Sequence, residues 1–130
     1  MTPRNQNKNY HLGILYLMHL LVNADGVIDQ HEHNALRKVK DYERMPEDTL
    51  VEFEKSAINL SEKEIYQKGI DFLNHCNDEE KLDAFAHLSK MTEADGRVHV
   101  KEVRLLLYSI RMAKIEFNEV LERAKNIQYN

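Results

Sequence analysis

Ala24-Asp25-Gly26-Val27-Ile28-Asp29-Gln30-His31-Glu32 recurs seventy residues later as Ala94-Asp95-Gly96-Arg97-Val98-His99-Val100-Lys101-Glu102. In both copies an apolar run ends at Asp-Gly, and a Glu stands shortly inside the run that follows. Glycine reaches the left-handed backbone conformation that terminates helices, so Gly26 and Gly96 mark structural turns between two helices. The rest of the chain falls into place around these two junctions.

The run before the first junction, from about Tyr10 to Ala24, is apolar on nearly every face through Leu12, Ile14, Leu15, Leu17, Met18, Leu21 and Val22. A helix of that kind sits centrally in a core. After the junction, Asp29 and Glu32 have the spacing of an N-terminal capping box. The second helix therefore starts near Gln30 and turns Ala35, Leu36, Val39 and Tyr42 inward. Met45-Pro46 breaks it, and Pro46 suits the first turn of a third helix bearing Leu50, Val51 and Phe53. Ser61 and Glu64 form another capping box and open a fourth helix with Ile65, Ile70, Phe72 and Leu73. Asn77-Asp78 caps a fifth, which carries Leu82, Phe85, Leu88 and Met91 to the second junction. A sixth begins near Val100, with Val103, Leu106, Leu107 and Ile110, and a seventh near Asn118, with Val120, Leu121 and Ala124. No stretch alternates with period two; Val27-Ile28 and Arg97-Val98 could pair only as two-residue extended pieces. The expected fold is all-α, with about seven helices.

A shift of seventy residues aligns more than the junctions. Leu12 falls on Leu82, Leu15 on Phe85, Met18 on Leu88 and Leu21 on Met91; beyond the turn, Leu36 falls on Leu106, Met45 on Ile115 and Val51 on Leu121. The expectation is two pseudo-symmetric three-helix repeats, about 10–57 and 80–127, joined by a connector helix at about 61–76. Residues 1–9 read as a disordered tail.

A helix ending in Ala-Asp-Gly, a pair of small-to-apolar residues, then a Glu opening the next helix resembles the TerB-like family of tellurite-resistance proteins. The same pattern occurs in the N-terminal region of a membrane-anchored DnaJ-like co-chaperone. The resemblance covers about Tyr10 to Ile127. It implies an all-helical fold of internal repeats and a non-enzymatic role in tellurite or general stress resistance. It further implies action through protein partners, at a membrane-associated complex, and metal-ion binding by the acidic loop residues. In the second copy His99 stands where the first has Asp29, which makes that loop the poorer site for a hard cation.

The residues themselves permit two readings of the loops. Asp25, Asp29 and Glu32, with Asp95 and Glu102 in the second copy, could converge oxygen ligands on a divalent cation, calcium or magnesium ahead of manganese or zinc. Asn23 and Glu93 could add oxygens. The nearest comparison is an EF-hand loop, but its first ligand, normally Asp, is Leu21 here and Met91 in the second copy. On the other reading the same side chains only cap helices, each cap contributing about 1 kcal/mol. Both roles would repeat, so the duplication does not choose between them, and a pure helical adaptor without ligand is the alternative function.

Composition narrows the remaining classes. A chain of 130 residues with 42% apolar and 31% charged residues makes one soluble domain. A net charge of −4 without a basic run argues against nucleic acid. The single cysteine, Cys76, cannot form an internal disulfide and fits a reducing, cytoplasmic setting. The longest apolar stretch, Leu12 to Val22, is too short to insert into a bilayer, which takes about 20 residues. Gly-x-Ser-x-Gly, phosphate-loop, dinucleotide and His-Glu-x-x-His motifs are missing, so an enzyme is not expected. A transition-metal protein would have to use His33, His75 or His99, and the seven histidines are scattered through surface and core positions. Zinc sites need three or four ligands together.

Overall fold

The structure, a computed structural model, describes residues 7–23, 30–94 and 100–129. Among the described residues the chain is all-α, with helices α1 (Lys8–Asn23), α2 (Gln30–Glu43), α3 (Glu47–Ala57), α4 (Glu62–Asn74), α5 (Asp78–Ala94), α6 (Val100–Met112) and α7 (Phe117–Lys125). Residues Asp78, Val100 and Phe117, which open α5, α6 and α7, stand seventy positions after Lys8, Gln30 and Glu47, which open α1, α2 and α3.

Local chemistry explains where the helices stop and start. Arg44, with φ of 56°, ends α2; its N–H donates to Asp41 O at 3.3 Å while the Met45 N–H reaches Lys40 O at 2.9 Å. This crossed pair is a Schellman terminator. The same arrangement ends α6, where Lys114 has φ of 61° and the Lys114 and Ile115 N–H groups reach Arg111 O and Ile110 O at 3.0 and 3.2 Å. Neither terminator uses glycine. Pro46 occupies the N-cap position of α3, one residue ahead of the first turn expected for it.

The box at the start of α4 forms as read, with Ser61 N–H donating to Glu64 Oε1 at 3.1 Å and Glu64 N–H to Ser61 Oγ at 3.2 Å. Asn77 and Glu80 exchange the equivalent bonds at 2.9 and 2.8 Å before α5. Asn7 accepts the Asn9 N–H at 2.9 Å and starts α1 at Lys8. Lys8 and Asn9, read as part of the tail, thus belong to the helix.

Every residue of α1 from Tyr10 to Leu21 is buried. The closest packing is with α4, through two reciprocal contacts. Leu73 lies on Gly13, where a Cβ would stand 2.6 Å from Leu73 Cδ2, and Leu17 lies on Gly69, where a Cβ would stand 2.7 Å from Leu17 Cδ2. Tyr16 fills the space beside them, edge-on to Phe53 with ring centroids 5.0 Å apart and stacked on Phe72 at 5.6 Å. On the other sides α1 meets α5, α3, α2 and α6. Leu50, Phe53 and Ala57 form the inward stripe of α3, and Leu106 and Ile110 that of α6. Val51 and Leu107 stand beside those stripes and are exposed, because each of these outer helices is covered along a single face only.

Alanine at Gly13 or Gly69 should gain up to about 1 kcal/mol of helix propensity. Displacing the facing leucine should cost about 1–3 kcal/mol. Each substitution is therefore expected to lower the urea midpoint, with Gly13→Ala partly relieved by Leu73→Ala.

Candidate functional site

Of the acidic candidates, Asp25, Asp29 and Asp95 lie outside the described residues, together with the turn glycines Gly26 and Gly96, with His99, and with the Val27-Ile28 and Arg97-Val98 pairs. Glu102 is described only as backbone within α6. Glu32 is described, and it lies in the core. It shares one stripe of α2 with Ala35, Leu36 and Val39, pressed against α1. Its Oε2 accepts from His19 Nδ1 at 2.5 Å, with both side chains fully buried. His19 Nε2, at the far side of the ring, is buried without a hydrogen-bond partner. A carboxylate on Nδ1 fixes the tautomer that presents the Nε2 lone pair, the arrangement by which proteins prepare a histidine for a metal.

The other end of the α2 stripe carries a second buried carboxylate, Glu43. Its Oε2 accepts the Tyr10 O–H at 2.8 Å and His87 Nε2–H at 2.6 Å. His87 Nδ1 is then free to accept the Tyr129 hydroxyl, 2.5 Å away. Tyr42 stands edge-on to both rings, with centroids 5.2 Å from His87 and 5.8 Å from Tyr129. Burial, followed by the charge of Glu43, raises the pKa of the Tyr10 and Tyr129 hydroxyls. This network joins α1, α2, α5 and the C-terminal segment.

Its members are far apart in sequence, so spacing does not reveal them. The signal available was the stripe itself: a helix that turns Leu36 and Val39 inward carries Glu32 and Glu43 on the same face.

The histidine candidates do not gather. His33 pairs with Glu54 at 2.6 Å on a half-exposed surface, and His75 caps the end of α4 through Asp71 O at 2.8 Å. Burial, with Glu80 nearby, pushes the Cys76 thiol up to about 11. Among the described residues no three His, Cys, Asp or Glu side chains converge as metal ligands, and no helix is long and apolar enough to cross a membrane. A surface cleft of about 610 Å³ lies between α5 and α7, and another, of about 300 Å³, lies between α2 and the C-terminal Gln128 and Tyr129.

Residues 11–120 match the family described as tellurite resistance protein TerB. No curated protein and no solved structure matches the chain.

Removing one partner of a buried pair strands the other, at a cost of about 3–5 kcal/mol. Glu32→Leu should therefore unfold at much lower urea than wild type, and His19→Leu in the same chain should recover most of the loss. The tyrosine network sets the alkaline limit. With both hydroxyls raised above the ordinary 10.0, the unfolded chain ionises first, so their contribution is whole below pH 10 and is lost as the pH climbs beyond it. Denaturation curves between pH 8 and about 11 should show this fall, and Tyr10→Phe with Tyr129→Phe should reduce it, the remainder coming from Cys76 and Tyr16, whose pKa values burial also raises.

Proposed function

Because the chain belongs to the tellurite resistance protein TerB family, we propose that it is a non-enzymatic stress-resistance domain that acts through protein contacts and holds a divalent cation at the junction of α1 and α2. The observation that carries the cation reading is His19 Nε2, a buried nitrogen with no hydrogen-bond partner, four residues before Asn23 at the end of α1. An unmet buried polar atom costs about 1–3 kcal/mol, which a bound ion would offset.

In this reading Asp25 and Asp29 supply oxygen ligands, His19 supplies a nitrogen, and Glu32 orients His19. An imidazole donor moves the fitting ion from calcium or magnesium toward manganese or zinc. Asp95 and Glu102, with His99 in place of the second Asp, form the weaker counterpart. The adaptor reading, in which the acidic residues only shape the turn, draws support from Glu32, whose carboxylate is committed to the core.

Calorimetric titration of metal-stripped protein with manganese, zinc, calcium and magnesium separates the two. The cation reading expects binding tighter than about 1 mM, strongest for manganese or zinc and lost in the Asp25→Asn, Asp29→Asn double variant. No binding by wild type, or equal binding by the variant, would leave the adaptor.

A further inference from the structure

The two halves of the chain, taken in their seventy-residue register, differ in what covers the first helix of each. In the first half the outer face of α1 is the seat of a helix: α4 sets Leu73 on Gly13 and stacks Phe72 on Tyr16, which in turn abuts Phe53. The corresponding positions of the second half are Asp83, Ala86 and Arg123. Ala86 is buried against Ala124 and Ile127, whereas Asp83 and Arg123 line the 610 Å³ cleft between α5 and α7, which no helix among the described residues fills. We propose that this cleft is the docking groove for a helix of a partner protein, one whose contact face combines Lys or Arg with large apolar side chains.

The chemistry of the groove selects that occupant. Its apolar walls are Leu82, Ile127 and the half-buried Tyr42. Its rim carries Glu79, Asp83, Glu119 and Glu122 against Arg123 and, just outside the lining, Lys125 at 3.9 Å from Glu122, which leaves an excess of two negative charges. Arg123 is already held by Asp83 at 2.6 Å and Glu79 at 2.7 Å and shows how a guanidinium is received there. In the first half Glu52 is met by Lys8 at 2.9 Å. The second-half counterparts are Glu122 and Asp78, so a carboxylate stands where the first half has that lysine, and Glu122 has only the longer 3.9 Å approach of Lys125. Where α4 meets glycine and aromatic rings, a helix entering this groove meets carboxylates, and basic side chains complement them. Its apolar residues would cover Leu82 and Ile127.

The proposal rests on the reading of this chain as a protein-contact module and is independent of the cation, so its test is run with chelator present. The probe is a fluorescein-labelled amphipathic helical peptide of about four turns with lysine and leucine on one stripe, compared with its lysine-to-glutamate counterpart. Glu119 and Glu122 are exposed rim residues, so the Glu119→Lys, Glu122→Lys variant should still fold, with a small drop in melting temperature from the first turn of α7. The lysine peptide is expected to bind wild type about tenfold or more tighter than this variant, to weaken with salt, and to shift the amide resonances of Leu82, Asn118 and Ile127. Equal affinity for both proteins, equal binding of the glutamate peptide, or shifts confined to the Glu47–Glu54 face would overturn it. So would self-association of wild type that the same variant abolishes, which would assign the groove to a second copy through the exposed Arg104, Tyr108, Arg111 and Met112 face of α6. If no cation binds but the peptide does, the groove stands; if the peptide fails while a cation binds, the groove alone falls.

Discussion

A helix buried on every side must find partners for whatever polar groups it carries, and α1 imposes that requirement on the whole molecule. Between Tyr10 and Leu21 it presents no face to water, yet it includes Tyr10, His11, Tyr16 and His19. The price is met from α2, whose inward stripe ends in a carboxylate on either side: Glu32 for His19 and Glu43 for Tyr10. Glycine performs the complementary task toward α4. At Gly13 and Gly69 the absence of a Cβ lets a leucine of the opposite helix approach the backbone, so α4 seals the remaining face of α1. The other helices pack around this assembly, which is why α3 and α6, covered along one side only, keep apolar residues such as Val51, Tyr108 and Met112 in contact with solvent.

Much of this architecture was legible because helix signals are local. The Ser61–Glu64 box, the cap at Asn77-Asp78, the break at Pro46 and the apolar continuity of α1 each depend on residues within a turn or two of one another. The capping function that a Gly usually serves was harder to place. Arg44 and Lys114 adopt positive φ without being glycine, drawn there by the crossed hydrogen bonds and by Met45 and Ile115, which follow them inward. Val51 and Leu107 look like core residues by composition; only the arrangement of neighbours decides that their helices need a narrower stripe.

The polar core was the least legible part, for a physical reason. Charged side chains read as solvent-facing, and Glu32 fitted a cap as well as anything in the local sequence. What placed it inside was periodicity: its stripe is continuous with Leu36 and Val39, and the histidine it meets is on another helix. Glu43, His87 and Tyr129 are joined only by tertiary structure. The acidic groove between α5 and α7 is similar, since Asp83 and Arg123 are forty positions apart.

The Glu43 network also bears on the evolution and dissection of the chain. A duplicated sequence suggests two interchangeable modules, each able to stand alone. Here one carboxylate oxygen in the first half is shared by a tyrosine of its own half and a histidine of the other, and that histidine holds the chain's last tyrosine. Severing the chain at the seam would leave Glu43 without His87 and His87 without its acceptor, in an apolar setting that does not tolerate either. The boundary between the two halves is thus crossed by a buried hydrogen-bond network that belongs to neither of them alone.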